Sequence, residues 1–531
     1  MGVAHEYAAA VLNRGRQPLE EDDREADWDD LPWEGKFYPT AERFPLPVQQ
    51  PLPPGATTQH GLFGPGGTGG FTLPLLGDML QDSYGLSGRR LGVHANVNLS
   101  ILPDYTTAHW GRCTASGGGL YPVTVYWASG AAGPLLPGVY HYSAQHHALQ
   151  RLLSGDVSAE VRAAVGDDRL TEGTDQFLIL GVKFWLNTFK YANFGFHVVP
   201  MDVGALLQTW RIWARAQGLQ LGEALWFDEP RLGRLLGLQE EHEGVFAVVP
   251  LRWDRDAATA PAPAAPALRV RTPERERSSS FRTFDLVRRM QAATLVDATR
   301  RPVLPAVPPP PAVGGAATPL PAPLPLPTPL RTALRARRSS FGRFSAQRPL
   351  GADVLAAVLA AAESAGAGLT RQYVFVNKVE GVSPGLYAYA SAGTGPEDGG
   401  ADGGVGGGGG SVLRLLKAGP PGAFLQRTYT LHNYNLQQAG AVIVPAVQVD
   451  ALLDAVGDRG YRLSAATVGA TAQAVYTAAA AAGIGCGVAL AFDGVAYAEE
   501  LGTTATGELP MMLMAVGPER PDPADYHYEV A

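Results

Sequence analysis

Two stretches of this chain gather residues suited to holding a charged, planar ligand. Arg337, Arg338 and Ser339, followed by Arg343 and Phe344, stand just ahead of a helix predicted from about Gly351 to Ala362. Guanidinium forks grip phosphate or carbonyl oxygens bidentately, so the group suits a phosphorylated cofactor, although by itself it reads equally as a basic surface cluster. Arg112-Cys113-Thr114-Ala115-Ser116-Gly117-Gly118-Gly119-Leu120-Tyr121-Pro122 places polar side chains and three glycines directly before a strand. Glycines let backbone amides approach a flat ligand and Ser116 can donate to it, while the plainer alternative is an ordinary loop. Lys190 and Tyr191 close the run Phe184-Trp185-Leu186-Asn187-Thr188-Phe189 and could simply end an aromatic helix.

The elements that must position these residues occur twice. Gly195, Gly204, Gly218, Gly222, Phe227, Asp228 and Gly237 recur as Gly460, Gly469, Gly483, Gly487, Phe492, Asp493 and Gly502 at a constant separation of 265 positions. Earlier, Pro137-Gly138-Val139-Tyr140-His141-Tyr142 matches Pro384-Gly385-Leu386-Tyr387-Ala388-Tyr389, and Arg151-Leu152-Leu153 matches Arg414-Leu415-Leu416. The chain reads as a fused pseudo-dimer. A glycine-rich insert from about Ser391 to Ser411 shifts the early offsets and reads as a flexible surface loop.

The expected organisation is an N-terminal arm (1–55), a first domain (56–255), an Ala/Pro-rich linker with a helical segment (256–330) and a second domain (331–531). In the arm, Trp28, Trp33, Phe37 and Tyr38 read as aromatic anchors of a wrapping segment with no chemistry of its own. The tract Ala257–Ala267 cannot form a core; Arg271–Arg300 reads as helical, with Phe284, Val287, Met290, Ala293 and Leu295 at apolar positions. Pro302–Pro329 reads as extended and solvated. Buried strands are predicted at Val123–Ala128, Phe177–Val182, Val374–Val376 and Ala441–Val447. Helices are predicted at Val203–Gln217 and Thr467–Ala482, each stopped by a glycine at a left-handed cap. The second of these is almost all small residues, which implies close burial at an interface between the halves.

Composition narrows the function. A net charge of −8 gives no general attraction to nucleic acid or an anionic membrane. No apolar run approaches the roughly 20 residues that span a bilayer, and the N-terminus lacks a secretory pattern, so a soluble, cytoplasmic protein is expected. Cys113 and Cys486 make no disulfide framework, and no metal-ligand cluster is visible. His109, His197 and His432 read as structural or exposed. Trp110, Trp185 and Tyr105 could line a substrate groove, with core packing as their default.

Taken in order, the Arg-Arg-Ser group, the Ser-Gly-Gly-Gly-Leu-Tyr-Pro loop, the Gly-Val-Tyr-His-Tyr element, the Lys-Tyr pair and the Gly-Ile-Gly loop after a small-residue helix resemble the nitroreductase superfamily. More narrowly the chain resembles its SagB-type branch, the FMN-dependent azoline dehydrogenases of thiazole/oxazole-modified peptide pathways. The resemblance implies an α+β fold, two tandem nitroreductase-like domains with flanked sheets paired as an intramolecular pseudo-dimer, and FMN at their interface. It assigns Arg337, Ser339, Arg343, Ile484, Gly485 and Arg520 of the second half to the cofactor. From the first half it assigns Arg112, Ser116 and Gly117 to the cofactor, and Lys190 with Tyr191 to catalysis.

The reciprocal site reads as broken. Gln220 stands for Gly485, Ala455-Val456 for Lys190-Tyr191, and no glycine-rich loop precedes the strand at Val374, which implies one flavin per chain. The branch's Arg-Gly-Tyr-Arg turn survives as Arg459-Gly460-Tyr461-Arg462 but is Phe194-Gly195-Phe196-His197 in the first half. The implied reaction is aromatisation of a thiazoline or oxazoline in a ribosomal precursor peptide, alongside a cyclodehydratase complex. Either Tyr191, its phenol acidified by the Lys190 ammonium, or a desolvated Lys190 would be the base. Two other readings are an NAD(P)H-dependent nitro or quinone reductase, and a flavinless scaffold that recruits partners or a leader peptide.

Overall fold

The computed structural model describes residues 2–19, 26–47, 49–91, 108–254, 268–302, 315–391, 410–520 and 527–529. Outside them lie the Ala257–Ala267 tract, residues 303–314 of the second proline-rich tract, nearly all of the Ser391–Ser411 insert, and Tyr105.

Each half builds one antiparallel sheet, and the strand order is the same in both. In the first half it runs Glu42–Pro45, Ala148–Ser154, Gly138–Ser143, Val123–Ser129, Gln176–Lys183, Glu243–Pro250. In the second it runs Ala317–Pro319, Val412–Ala418, Gly385–Ala390, Thr370–Val376, Ala441–Val447, Leu513–Gly517, with Gly485–Ala489 added at the edge. All four predicted strands fall inside these sheets. The match extends to irregularities: each sheet has a register shift just before Tyr140 or Tyr387, whose hydroxyls donate to the carbonyls of Leu136 (2.6 Å) and Ser383 (2.8 Å). The strand Gly485–Ala489 has a lone bridge, Ala224 to Val248, as its first-half counterpart.

Between the sheets, two 22-residue helices, Gly195–Ala216 and Gly460–Ala481, pack against one another. Both begin about two turns earlier than predicted, because Gly195, Gly460 and Pro200 weaken the helical signal there. Their crossing explains one pair of repeat landmarks. A Cβ on Gly204 would lie 1.8 Å from the Ala466 carbonyl oxygen, and one on Gly469 would lie 1.9 Å from that of Met201. Residues 201 and 466 are themselves equivalent, so a pseudo-twofold axis passes through the crossing. Asp228 and Asp493 cap equivalent later helices by accepting from the amides of Arg231 and Ala496, both at 3.0 Å.

The segments preceding each half are also counterparts. The N-terminal helix Val3–Asn13 packs on the second half, where a Cβ on Gly494 would meet the Leu12 carbonyl oxygen at 2.8 Å. The linker helix Asp285–Leu295 packs on the first half, with Gln291 donating to Glu229 at 3.0 Å. Each helix is followed by an edge strand on its own half, Glu42–Pro45 or Ala317–Pro319.

Two expectations need correction. The helix of the linker spans only Asp285–Leu295, and its basic lead-in is extended, bonded to the arm through the Arg275 amide and the Phe37 carbonyl (2.8 Å). The described end of the second proline-rich tract has its prolines exposed as expected, but Leu320 and Leu326, set between them, are buried and tie it to the core. Finally His527–Glu529 returns to the first half and pairs with Gly88–Leu91. Among the described residues no helix is long and apolar enough to cross a membrane.

Candidate functional site

The glycine loop of the first half is held from both sides of the interface. Arg337, at the end of the helix Leu330–Ala336, donates through Nε to the Cys113 carbonyl (2.6 Å) and through Nη2 to that of Arg112 (2.9 Å). Gln473, buried on the second long helix, accepts from the Ala115 amide (2.9 Å). From the first long helix, Asp202 accepts from Ser116 Oγ (2.7 Å) and from the Gly117 amide (2.8 Å). Ser116 Oγ in turn accepts from the Tyr121 amide (2.9 Å), so Ser116 and Gly117 are engaged in building the loop. Burial drives the Asp202 carboxyl up to about 7, against the pull of these two hydrogen bonds.

Lys190 and Tyr191 end the helix Trp185–Tyr191 and converge on this loop. A Cβ on Gly118 would sit 2.6 Å from Tyr191 Oη and 2.8 Å from Lys190 Nζ, and Gly118 itself has φ +64°. At Gly119 nothing lies within 4 Å of such a Cβ, so the loop presents one occupied and one open face. Lys190 is exposed, yet the surrounding protein lowers its ammonium pKa by desolvation. Burial pushes the Tyr191 phenol well above its ordinary value, and nearby Asp202 adds to the rise. The expected acidification of Tyr191 by Lys190 is therefore reversed: desolvation favours the neutral form of both groups. Tyr429 of the second half faces Tyr191, its phenol raised by burial and then by Tyr191.

The second half contributes a cationic shell. Ser339 shares a hydrogen bond with the Tyr476 hydroxyl (2.8 Å) and bridges Cys486. The Arg337 guanidinium lies 5.2 Å from the Tyr476 ring centroid. Arg338 and Arg343 approach Glu519 at 3.4 and 3.8 Å, and Arg520 donates to the carbonyls of Arg343 (2.7 Å, backbone) and Gly342 (side chain). A Cβ on Gly485 would meet Glu519 Cγ at 2.4 Å and Ser340 Oγ at 2.6 Å. Among the described residues Arg337, Arg338, Arg343 and Arg520 gather around this turn, and guanidinium forks are a donor set that fits a phosphate. Ile484 closes the end of the second long helix, its amide donating to the Ala479 carbonyl at 3.0 Å and its side chain packed against the core.

Some sequence candidates stand apart. The Arg112 side chain points away from the cationic shell, 4.3 Å from the Tyr84 ring centroid and 4.5 Å from that of Tyr121, and donates to the Glu34 carbonyl. Arg459 and Arg462 are buried against Glu229 at 2.9 and 2.7 Å, and His197 is buried against Tyr461 Oη (2.7 Å) with its pKa pressed down to about 3 by burial. His432 and Trp110 are exposed and Trp185 is buried, while the side chain of His109 lies outside the description. In the reciprocal position the loop Gly66–Gly70 lies against Gly218–Gln220, where a Cβ on Gly67 would meet the Gly218 carbonyl oxygen at 1.8 Å.

Asp202, Gln473 and Tyr476 were not singled out as site residues from sequence. A signal was available: polar side chains such as Asp202 and Gln473 on helices whose neighbours are mostly apolar or small need partners when buried, and Gln473 repeats Gln208 at the constant separation.

Residues 409–518 match the nitroreductase family model. A protein from Anabaena variabilis ATCC 29413 described as a nitroreductase shares the fold over 98% of this chain and 100% of its own, with TM-score 0.73 and 20% identity. A protein from Ralstonia eutropha JMP134, also described as a nitroreductase, covers 42% of this chain and 94% of its own with TM-score 0.31 and 19% identity. The E. coli microcin synthetase McbBCD complex with truncated pro-MccB17 covers 46% of this chain and 77% of its own with TM-score 0.26 and 15% identity. These last two overlaps are too loose to bear on the argument. No curated protein matches the chain. The chain thus has the nitroreductase fold along nearly its whole length and carries a nitroreductase family domain in its second half.

Proposed function

We propose that this protein is an FMN-dependent oxidoreductase that converts thiazoline or oxazoline rings of a ribosomal precursor peptide to azoles. The observation that carries the reading is the meeting of Lys190 Nζ and Tyr191 Oη at Gly118, on a loop fastened across the interface by Arg337 and Gln473. Arg337, Arg338, Ser339, Arg343 and Arg520 would hold the phosphate of FMN, Gly485 and the open face of Gly119 its ring. FMN, when bound, supplies the two-electron acceptor.

Lys190 is the base of choice. Desolvation lowers its ammonium pKa, which eases loss of that proton, and the amine so formed at Nζ would take the proton from the ring carbon. Tyr191, kept as a neutral phenol by burial, orients the ring by donating from Oη. One site per chain follows from the missing Lys-Tyr pair and the filled loop at Gln220. The same fold serves nicotinamide-dependent nitro reduction, and the family-model match favours keeping that as the second reading.

The test starts with flavin released per chain, expected near one. Arg337→Ala should lose flavin. Lys190→Met should retain it but lower oxidation of a thiazoline peptide by about 10²–10⁴-fold, with Tyr191→Phe falling less. Bleaching of the flavin by NADPH with no peptide oxidation would overturn the proposal in favour of the second reading, and protein that takes up no FMN would leave the scaffold.

A further inference from the structure

The arm does more than wrap. Trp28 is 54% exposed, with its ring edge-on to Phe189 at 5.5 Å and its centroid 5.6 Å from Lys190 Nζ. From Phe189 the aromatic contacts continue to Trp185 (6.3 Å), on to Phe281 of the linker (5.6 Å) and then to His242 (4.7 Å). Phe281 is 40% exposed, and so is Trp33 at 36%, beneath the Arg277 guanidinium. Single exposed apolar residues are ordinary, but exposed rings joined through shared aromatic contacts, as Trp28 and Phe281 are through Phe189 and Trp185, mark a binding surface.

This patch is built rather than left over. Three segments distant in sequence form it, and they are pinned behind it. Asp30 accepts from the amides of Ser279 (2.6 Å) and Ser280 (2.8 Å), and Lys183 bonds Glu274 and Glu276 (2.6 Å to the latter). Lys36 pairs with Glu243 beneath the arm. Stretch Ala26–Glu34 carries four carboxylates and no Lys or Arg, which disfavours an acidic occupant.

We infer that Trp28, Trp33 and Phe281 form a ledge that grips the substrate peptide beside the ring presented to Lys190, taking an aromatic side chain on a segment that is neutral or basic. The inference rests on the peptide-oxidation reading above. An extended chain advances about 3.3 Å per residue, so the 5.6 Å from Lys190 to Trp28 sets the gripped side chain one or two positions from the ring.

Two dye-labelled pentapeptides test this, each holding one thiazole, the product ring that needs no turnover, with either Phe or Gly two positions away. Anisotropy titrations use the full flavin-loaded chain. The Phe peptide should bind wild type about tenfold tighter than the Gly peptide. Trp28→Ala should erase that preference with flavin content unchanged, while Leu136→Ala, which removes an exposed side chain outside the ledge, should preserve it. Equal binding of the two peptides by wild type, or a preference that survives Trp28→Ala, overturns the ledge. Oxidation of matching thiazoline peptides is scored separately, so a failed reaction with an intact binding preference counts against the proposed chemistry and leaves the ledge standing.

Discussion

At the scale of single residues, the loop that receives Lys190 depends on a carboxyl that titrates near neutrality. Asp202 has its folded pKa raised to about 7, chiefly by burial. A carboxyl raised on folding contributes its stability at low pH and loses it as pH climbs from the ordinary Asp range to the folded value. Asn at 202 keeps the geometry, its amide oxygen accepting from Gly117 and its amide nitrogen donating to Ser116, but cannot ionise. Thermal melts of Asp202→Asn against wild type should therefore diverge between about pH 4 and pH 7, the variant gaining relative to wild type as pH rises; parallel curves would show that folding does not raise the Asp202 carboxyl. A second residue carries a cost with no visible return. Asn187 is fully buried and neither of its amide atoms has a hydrogen-bond partner among the described residues, while the repeat places Leu452 at the equivalent position. Asn187→Leu is expected to raise stability by about 1–3 kcal/mol, read from urea unfolding.

At the scale of elements, the two long helices meet where neither can carry a side chain. Gly204→Ala and Gly469→Ala each drive a methyl into a carbonyl oxygen of the other helix, with no flexible atom to yield. Each should cost about 1–3 kcal/mol or more, and the pseudo-symmetry predicts similar losses for both, measurable by urea unfolding. A tolerated alanine at either position would mean the helices separate more easily than this packing suggests. The repeat glycines made this crossing legible in sequence, as did the run of small residues on the second helix, because close approach constrains residue type. The swapped arms were not legible. Val3–Asn13 and Asp285–Leu295 share a topological position but no residue pattern, since packing against different surfaces asks only for an apolar face. Likewise Trp28 reads as an anchor from composition, and only the fold reveals that its indole stands in solvent beside Lys190. The glycine loop and the arginine cluster could be found as motifs; what holds them, Asp202 and Gln473, lies remote in sequence from the loop it fastens.

At the scale of the whole molecule, the two sides of the pseudo-dimer have diverged, and the side around Glu229 is built as a fastening. Arg459 lies 5.0 Å from the Phe227 ring centroid and donates to the Leu225 carbonyl (3.2 Å). On the opposite side, where the repeat has Phe194, the N-terminal helix is followed by Arg14, which lies 3.5 Å over that ring and donates to the equivalent Leu490 carbonyl. An arm residue thus restores the contact that the first-half turn lost. On the fastened side Glu229 of the first half gathers Arg459 and Arg462 of the second and Gln291 of the linker, all of them buried. Burial alone would raise the Glu229 carboxyl, but Arg462 and Arg459 outweigh it and hold the carboxyl below its ordinary value. Its contribution is accordingly present above the ordinary Glu range and lost as pH falls through the lower folded value. Glu229→Gln removes the charge and strands two guanidiniums in the interior, so it should cost about 3–5 kcal/mol and flatten the acid limb of the stability profile. Because the carboxylate joins both halves and the linker, the loss should appear as one cooperative unfolding transition moved to lower urea. Two separated transitions would show that the halves fold independently and that Glu229 ties them only loosely.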